Sequence, residues 1–406
     1  MAPTAPATDE ALAELLAEAK TLQPKTIALR RRLHRRPEQG LQLPGTQAAI
    51  LHALEGLPLE IHRGTTTSSV TAVLRGNKPG PAVLLRGDMD ALPLHEDTGD
   101  DFASEIPGTM HACGHDTHVA MLASAARLLS THTDELAGSV VFMFQPGEEG
   151  YSGARYMVDE GVLDAAGERV RTAFGIHVDA GSPSGITAVR AGTLMASADS
   201  FTVRLTGRSG HGAMPHTALD PVPAAAEMVG ALQTMVTRRV DIADPAVVTV
   251  GRIAAGTTSN IIPETAELEG TIRAVSEPTR RLLQQQLETV CSGIAAAHDC
   301  EITIEFGTGY PVTVTDPDVT DRVAQWAGKL LGEDHVLRLP TPIMGAEDFS
   351  YVLREVPGTF AFLGACPPGN DPAQAAPNHS NRVHYDEAAL PRGVAMHAAF
   401  ALHELR

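Results

Sequence analysis

The stretch His111-Ala112-Cys113-Gly114-His115-Asp116-Thr117-His118 places three histidines, a cysteine and an aspartate within eight residues. Imidazole and thiolate are the donors that zinc and its neighbours in the transition series prefer, so this run is a candidate metal-binding segment. Capping and solvation of a helix start by the same residue types is the plainer alternative. No second CxxC or HxxxH pair completes a zinc finger. A second segment, Gln145-Pro146-Gly147-Glu148-Glu149-Gly150, follows an apolar run over 140–144. Loops at the carboxyl ends of strands in an open parallel sheet gather round the ligand crevice. Of two adjacent carboxylates there, one can bind metal while the other handles a proton; paired glutamates are also common on solvated surfaces. His177 in Gly175-Ile176-His177-Val178 closes an apolar strand, and His379 in Asn378-His379-Ser380 follows a Pro-rich loop over 367–377. Taken alone, such a histidine is more often a satisfied core residue than a ligand. Asp88 and Asp90, in Gly87-Asp88-Met89-Asp90, also follow an apolar strand. Alternate residues of an extended segment share a face, and carboxylates commonly hydrogen-bond the histidines that hold a metal; turn formation is the alternative. Together these segments offer one thiolate, up to two or three imidazoles and two or three carboxylates. That inventory suits two divalent ions better than one, because a dinuclear centre needs a bridging anion and several terminal ligands.

The elements that must bring these segments together are legible as periodic runs. The chain has 406 residues, which suggests about two or three domains at roughly 150 residues each. A long amphipathic helix is expected over 11–36, strands over 70–74, 82–86, 140–145 and 173–178, and helices over 118–129 and 154–162. Alternating strand and helix implies a largely parallel sheet covered on both faces. Over 198–306 the order changes to strand 201–205, helix 222–236, strands 247–253 and 266–273, helix 277–297 and strand 301–306, the βαββαβ order of a ferredoxin-like sandwich. Helix 319–331, strand 359–363 and helix 387–404 then resume the first pattern. The expected fold class is therefore α/β: a mostly parallel-sheet domain over 1–190 and 309–406, interrupted by a smaller α+β domain over 191–308.

Composition narrows the function. At 43% hydrophobic residues the chain can bury large cores, and its formal net charge of −18 opposes binding to a phosphate polymer, so no nucleic acid partner is expected. No apolar stretch approaches the roughly 20 residues needed to span a bilayer, so no membrane segment is expected. Residues 1–10 carry neither a basic start nor an apolar core, so no secretory leader is expected and a cytoplasmic location follows. Four cysteines in so long a chain do not form a disulfide framework.

Taken in order, HACGHD, QPGEEG, GIHV, GRSGHGAMPH, TTSNIIP, GTIR, MGAEDF and the late HS resemble the aminoacylase/carboxypeptidase family of dinuclear metallohydrolases, in particular its hippurate hydrolase and indole-acetyl-amino-acid hydrolase subgroup. The resemblance runs from about Arg30 to the C-terminus. It implies a zinc-hydrolase catalytic domain and an inserted dimerisation domain. It further implies two divalent metal ions, Zn2+ or alternatively Mn2+, Co2+ or Ni2+, held by Cys113, His115, Glu149, His177 and His379 with the Cys113 thiolate bridging. Glu148 is implied as general base acting on a metal-bridging hydroxide. Asp90 is implied as a supporting carboxylate, His211 as a residue reaching across a homodimer interface to polarise the substrate carbonyl, and Asn260 and Arg273 as substrate-binding residues. The implied reaction is cleavage of N-acyl or N-aroyl amino acids to a carboxylic acid and a free amino acid, with a dipeptidase or carboxypeptidase, or a non-catalytic metal-binding homologue, as alternatives. Many family members carry a metal-binding histidine where Asp88 stands, so no ligand role is carried over to Asp88, nor any role to Glu347.

Overall fold

In the computed structural model of the protein, the apolar runs pair into an eight-stranded sheet. From edge to edge its strands are Leu59–Arg63, Val70–Arg75, Ala137–Gln145, Lys78–Asp88, Val170–Pro183, Gly358–Cys366, Thr187–Val189 and Val336–Arg338. Residues 9–405 are described; the Ala/Pro-rich start, and with it most of the stretch expected to hold no leader, lies outside them. The four central strands, Ala137–Gln145, Lys78–Asp88, Val170–Pro183 and Gly358–Cys366, run parallel. Val70–Arg75 and Leu59–Arg63 extend the sheet antiparallel on one side. In Ala137–Gln145 every residue after the first is buried, so both faces of the strand are covered, which is why it reads as an unbroken apolar run rather than an alternating one. The helices Asp9–Arg35, His115–Leu129 and Leu390–Glu404 pack against one another. His115–Leu129 buries every residue except Arg127, and each large apolar side chain sunk in this way contributes about 1.5–3 kcal/mol.

A second compact unit comprises Thr193–Thr313 with Thr341–Ser350, and the remainder of the chain forms the first. The second unit holds an antiparallel sheet in the order Ala246–Ala255, Thr265–Ala274, Asp199–Thr206, Glu301–Phe306. Phe201, Val203 and Leu205 alternate inward along Asp199–Thr206, as the period of two requires. The helices Pro221–Arg239 and Glu277–Ala297 start where Asp220 accepts the Val222 N–H and Ser276 accepts the Thr279 N–H, each with proline in its first turn.

The structure departs from the periodic pattern in specific places. Thr341–Ser350, expected in the first domain as part of 309–406, belongs to the second unit, because Ile343 exchanges backbone hydrogen bonds with Leu194 and Ala196. The helix expected over 154–162 stops at Asp159, ahead of Gly161 at φ +87°. The last helix begins at Leu390 after a single 3₁₀ turn, Glu387–Ala389, capped by Asp386. The helix Pro44–Leu54 and the short strands Leu59–Arg63, Thr187–Val189 and Val336–Arg338 are additional; the last two, of three residues each, carry too few positions to display a period. No helix among the described residues is long and apolar enough to cross a membrane.

The N-terminal helix carries a buried ionic contact to the loop-to-helix junction at Asp116. His34 Nδ1 lies 2.9 Å from Asp116 Oδ2 and its Nε2 lies 3.1 Å from Glu96 Oε1. Ionised carboxylates only accept, so both ring nitrogens donate and the ring is an imidazolium. Burial opposes that charge, but Asp116 and Glu96 outweigh it and raise His34 from 6.5 to about 9. A pKa raised on folding gives stability that is complete below pH 6.5 and is lost as the pH climbs through about 9. The melting temperature of the wild-type protein should therefore fall across that window more steeply than that of His34→Gln; parallel curves for the two proteins would show that His34 is not charged in the fold.

Candidate metal centre

The carboxyl ends of the central parallel strands deliver most of the candidate residues to one place, as open α/β sheets commonly do. Asp88 ends Lys78–Asp88 and Asp90 stands two residues on, while Glu148 and Glu149 follow the end of Ala137–Gln145. His177 lies in Val170–Pro183 beyond Gly175, where its pairing with Lys78–Asp88 stops. Cys113 and His115 flank Gly114, which has φ +88°. A Cβ at Gly114 would stand 2.4 Å from Val178 Cγ2 and 3.0 Å from the Tyr385 ring, so no side chain fits this turn. His379 is left-handed without being glycine, at φ +69°, a strained conformation that the surroundings must hold. Its N–H donates to the Ala112 carbonyl at 2.8 Å, and the Tyr385 hydroxyl donates to the same oxygen at 3.0 Å.

The five sequence-derived ligand candidates converge. Cys113 Sγ lies 3.3 Å from His177 Nε2 and 3.2 Å from His379 Nε2. Glu149 Oε1 lies 3.3 Å from His379 Nε2 and 3.9 Å from His115 Nε2. The donor atoms of Cys113, His115 and His177, those of Cys113, Glu149 and His379, and those of His115, Glu148 and Glu149 each fall within 4.8 Å of one another.

Two tautomers follow from the partners. His115 Nδ1 lies 2.9 Å from the Asp90 carbonyl and His177 Nδ1 lies 2.7 Å from the Val178 carbonyl. A carbonyl only accepts, so each Nδ1 carries a proton and Nε2 is the nitrogen that faces the cluster. His115 Nε2 and Glu149 Oε1 are buried with no hydrogen bond. Buried polar atoms are normally paired, and a thiolate, three imidazole nitrogens and carboxylates converging with such atoms among them form a donor set that fits borderline divalent cations.

The electrostatics favour a thiolate among imidazolium rings, so a divalent cation would bind there by displacing the Nε2 protons. Burial pushes the Cys113 thiol up, yet the His177 and His115 imidazoles overcome it and bring the thiol down to about 6. His177 is raised to about 9 by Cys113 against its own burial, and His379 to about 10 by its contacts with Cys113 and Glu149.

The two aspartates have separate tasks. The Asp90 carboxylate accepts the Glu148 N–H at 2.9 Å and the Glu149 N–H at 3.0 Å, fixing the backbone of the glutamate loop. Asp88 faces Arg86, whose Nη1 lies 2.7 Å from Asp88 Oδ2 with both side chains fully buried. His118 Nε2 accepts the Val178 N–H at 2.9 Å, so its proton sits on Nδ1 and donates to Asp88 Oδ1 at 2.5 Å. Burial keeps that ring neutral, pushing His118 down to about 3. Arg86 has no role in the sequence reading, and His118 enters it only as one histidine of the candidate metal-binding run. The only signals were a charged residue inside an apolar strand and an i, i+3 spacing from His115 that becomes one helical face once the helix starts at His115.

The other three candidates lie in the second unit. His211 pairs with Ile261 in a two-residue ladder, and the Gly212 N–H donates to the Asn260 carbonyl at 2.9 Å, which sets His211 and Asn260 side by side. His211 Nδ1 accepts the Ala213 N–H at 3.0 Å, so the neutral ring carries its proton on the exposed Nε2. Arg273 is half-buried near the end of Thr265–Ala274, and among the described residues no carboxylate lies within ion-pair distance of it.

Removing one member of a buried ion pair strands the other and costs about 3–5 kcal/mol. Asp88→Asn should accordingly lower the unfolding free energy, measured by urea denaturation of the metal-free protein, by about that amount. A change below about 1 kcal/mol would show that Arg86 does not depend on this carboxylate.

Comparison with known proteins agrees with the order of the motifs. The family model described as Peptidase family M20/M25/M40 matches residues 84–403. Thermostable carboxypeptidase 2 of Saccharolobus solfataricus is 36% identical over 95% of this chain and 96% of its own. IAA-amino acid hydrolase ILR1-like 2 of Arabidopsis thaliana is 38% identical over 94% of this chain and 85% of its own. A crystal structure described as a dinuclear metal-binding peptidase of family M20 from Bacillus subtilis superposes with a TM-score of 0.80 at 32% identity, over 95% of this chain and 99% of that one. With its strand-end cluster of thiol, imidazole and carboxylate groups and a family match spanning most of its length, the chain belongs to peptidase family M20/M25/M40.

Proposed function

We propose that this member of the family hydrolyses the amide bond of N-acyl or N-aroyl amino acids, releasing a carboxylic acid and a free amino acid. The observation that carries the reading is the convergence of Cys113, His115, Glu149, His177 and His379, with Glu148 beside them. These five side chains would hold two divalent ions; thiolate and imidazole suit Zn2+, while Mn2+, Co2+ and Ni2+ accept the same donors. When bound, such ions supply Lewis acidity and lower the pKa of water toward neutrality.

The chain's own residues supply the proton transfers and the orientation. Glu148, buried and with its backbone fixed by Asp90, takes a proton from the attacking water and returns it to the amine nitrogen, which would otherwise leave as an anion. The Nε2–H of His211, reaching the site from the partner subunit of a homodimer, donates to the developing oxyanion, a contact worth about 3 kcal/mol. Arg273, half-buried and with no carboxylate within ion-pair distance among the described residues, binds the substrate carboxylate, and Asn260 assists from beside His211. The net charge of −18 does not oppose an anionic substrate, because local cations dominate the potential near a binding site. A cytoplasmic location completes the reading.

A second reading, hydrolysis of dipeptides or peptide C-termini, is supported by the similarity to a thermostable carboxypeptidase. A panel of N-acyl amino acids and dipeptides, assayed after chelation and reloading with each metal, separates the two. The first reading expects kcat/KM at least about tenfold higher on the acyl amino acids, a difference of about 1.4 kcal/mol in transition-state binding; a preference for dipeptides would replace it with the second. A metal-binding homologue without turnover is disfavoured by the presence of Glu148 and of every ligand candidate.

Glu148→Gln should retain normal metal content by elemental analysis while kcat falls by several orders of magnitude, and near-wild-type turnover would remove Glu148 from the role of base. Mixing inactive His211→Ala chains with inactive Glu148→Gln chains should restore partial activity in isolated mixed dimers. Mixed dimers that stay inactive would place the whole site within one chain.

A further inference from the structure

One polar side chain joins its own ligand-bearing segment to two others, and no motif reading gives it a task. Asn378 Oδ1 accepts the Ala180 N–H at 3.0 Å, while Nδ2 donates to the Cys113 carbonyl at 3.2 Å and to the Val178 carbonyl at 2.9 Å. The orientation of the amide is set by its partners: an N–H can only donate, so it must face Oδ1, and two carbonyls can only accept, so they must face Nδ2. The Val178 carbonyl also receives Nδ1–H of His177 at 2.7 Å. Asn378 thereby shares an acceptor with the bond that orients the His177 ring. Its own backbone leads directly into His379, which is held at φ +69°.

From these contacts we infer that Asn378 is a positioning residue for the metal centre, setting the mutual placement of Cys113, His177 and His379 through the backbone to which each is attached. The three segments are far apart in sequence, at 113, 177–180 and 378–379, and Asn378 ties the third to the other two with both ends of its amide. The inference rests on the proposed ligand roles of those three residues. Partners that hold ligands in place typically matter by about 10–100-fold in metal affinity. Aspartate has the same size and shape but cannot donate. At 378 it would keep the bond from Ala180 and set an oxygen against the carbonyls of Cys113 and Val178.

The test uses the whole protein, stripped by chelation and titrated with Co2+, whose charge-transfer absorption with a thiolate reports Cys113 directly. The wild-type protein should develop that band. Asn378→Asp should bind Co2+ about 10–100-fold more weakly and show a diminished band, with Asn378→Ala between the two, while the melting temperatures of all three metal-free proteins stay alike. Unaltered Co2+ affinity and absorption in Asn378→Asp would overturn the inference. So would a metal-free melting temperature that falls in both variants, or failure of both to fold, since Asn378 would then hold the fold and not the ligands. A wild-type protein that binds Co2+ without a thiolate band would instead remove Cys113 from the ligand set, and the inference would go with it.

Discussion

Everything in the larger unit answers to one constraint: ionisable groups from several distant stretches of chain are desolvated together, and each must find an opposite charge or a hydrogen bond there. An isolated charge removed from water costs many kcal/mol, and an orphaned polar atom a few. The parallel sheet meets the constraint because its strands end in register on one side. There Lys78–Asp88 delivers the aspartates, Ala137–Gln145 leads to the glutamates and Val170–Pro183 carries His177. The helix starting at His115 adds two imidazoles on one face, and the turn before it tolerates no side chain.

Inside the cluster, cationic and anionic character are interleaved. Arg86 neutralises Asp88 from within the sheet, so Asp88 is already matched by a protein cation, and His118 occupies its other oxygen. Asp90, two residues on, spends its carboxylate on backbone N–H groups of the glutamate loop. The atoms left over are the ones that point at one another: the Cys113 thiol, the Nε2 atoms of His115, His177 and His379, and the Glu149 carboxylate. Supporting groups thus take up the Nδ1 atoms of His115 and His177, and Asp88 and Asp90 are matched by partners outside the proposed ligand set.

The second unit obeys simpler physics. Its alternating strands and proline-started, side-chain-capped helices build a small independent core, and its candidate residues sit where that core does not need them. His211 and Asn260 occupy a two-stranded ladder outside the main sheet, and Arg273 lies near the end of a strand.

By itself, the order of residues determined the two patterns of elements, since burial on both faces writes unbroken apolar runs and one-sided burial writes alternation. It determined the donor types too, because a thiol, three imidazoles and paired carboxylates have few uses in common. Only the tertiary structure decided the rest. That Asp88 pairs with Arg86 while Asp90 holds a loop depends on where each side chain points once the strand has ended, and two identical carboxylates carry no local mark of it. The Nδ1 protons of His115 and His118 were set by a carbonyl and an N–H brought from other segments. The task of Asn378 was invisible for the same reason: its three partners lie about 200 residues or more away along the chain, and hydrogen bonds of such separation leave no period in the sequence.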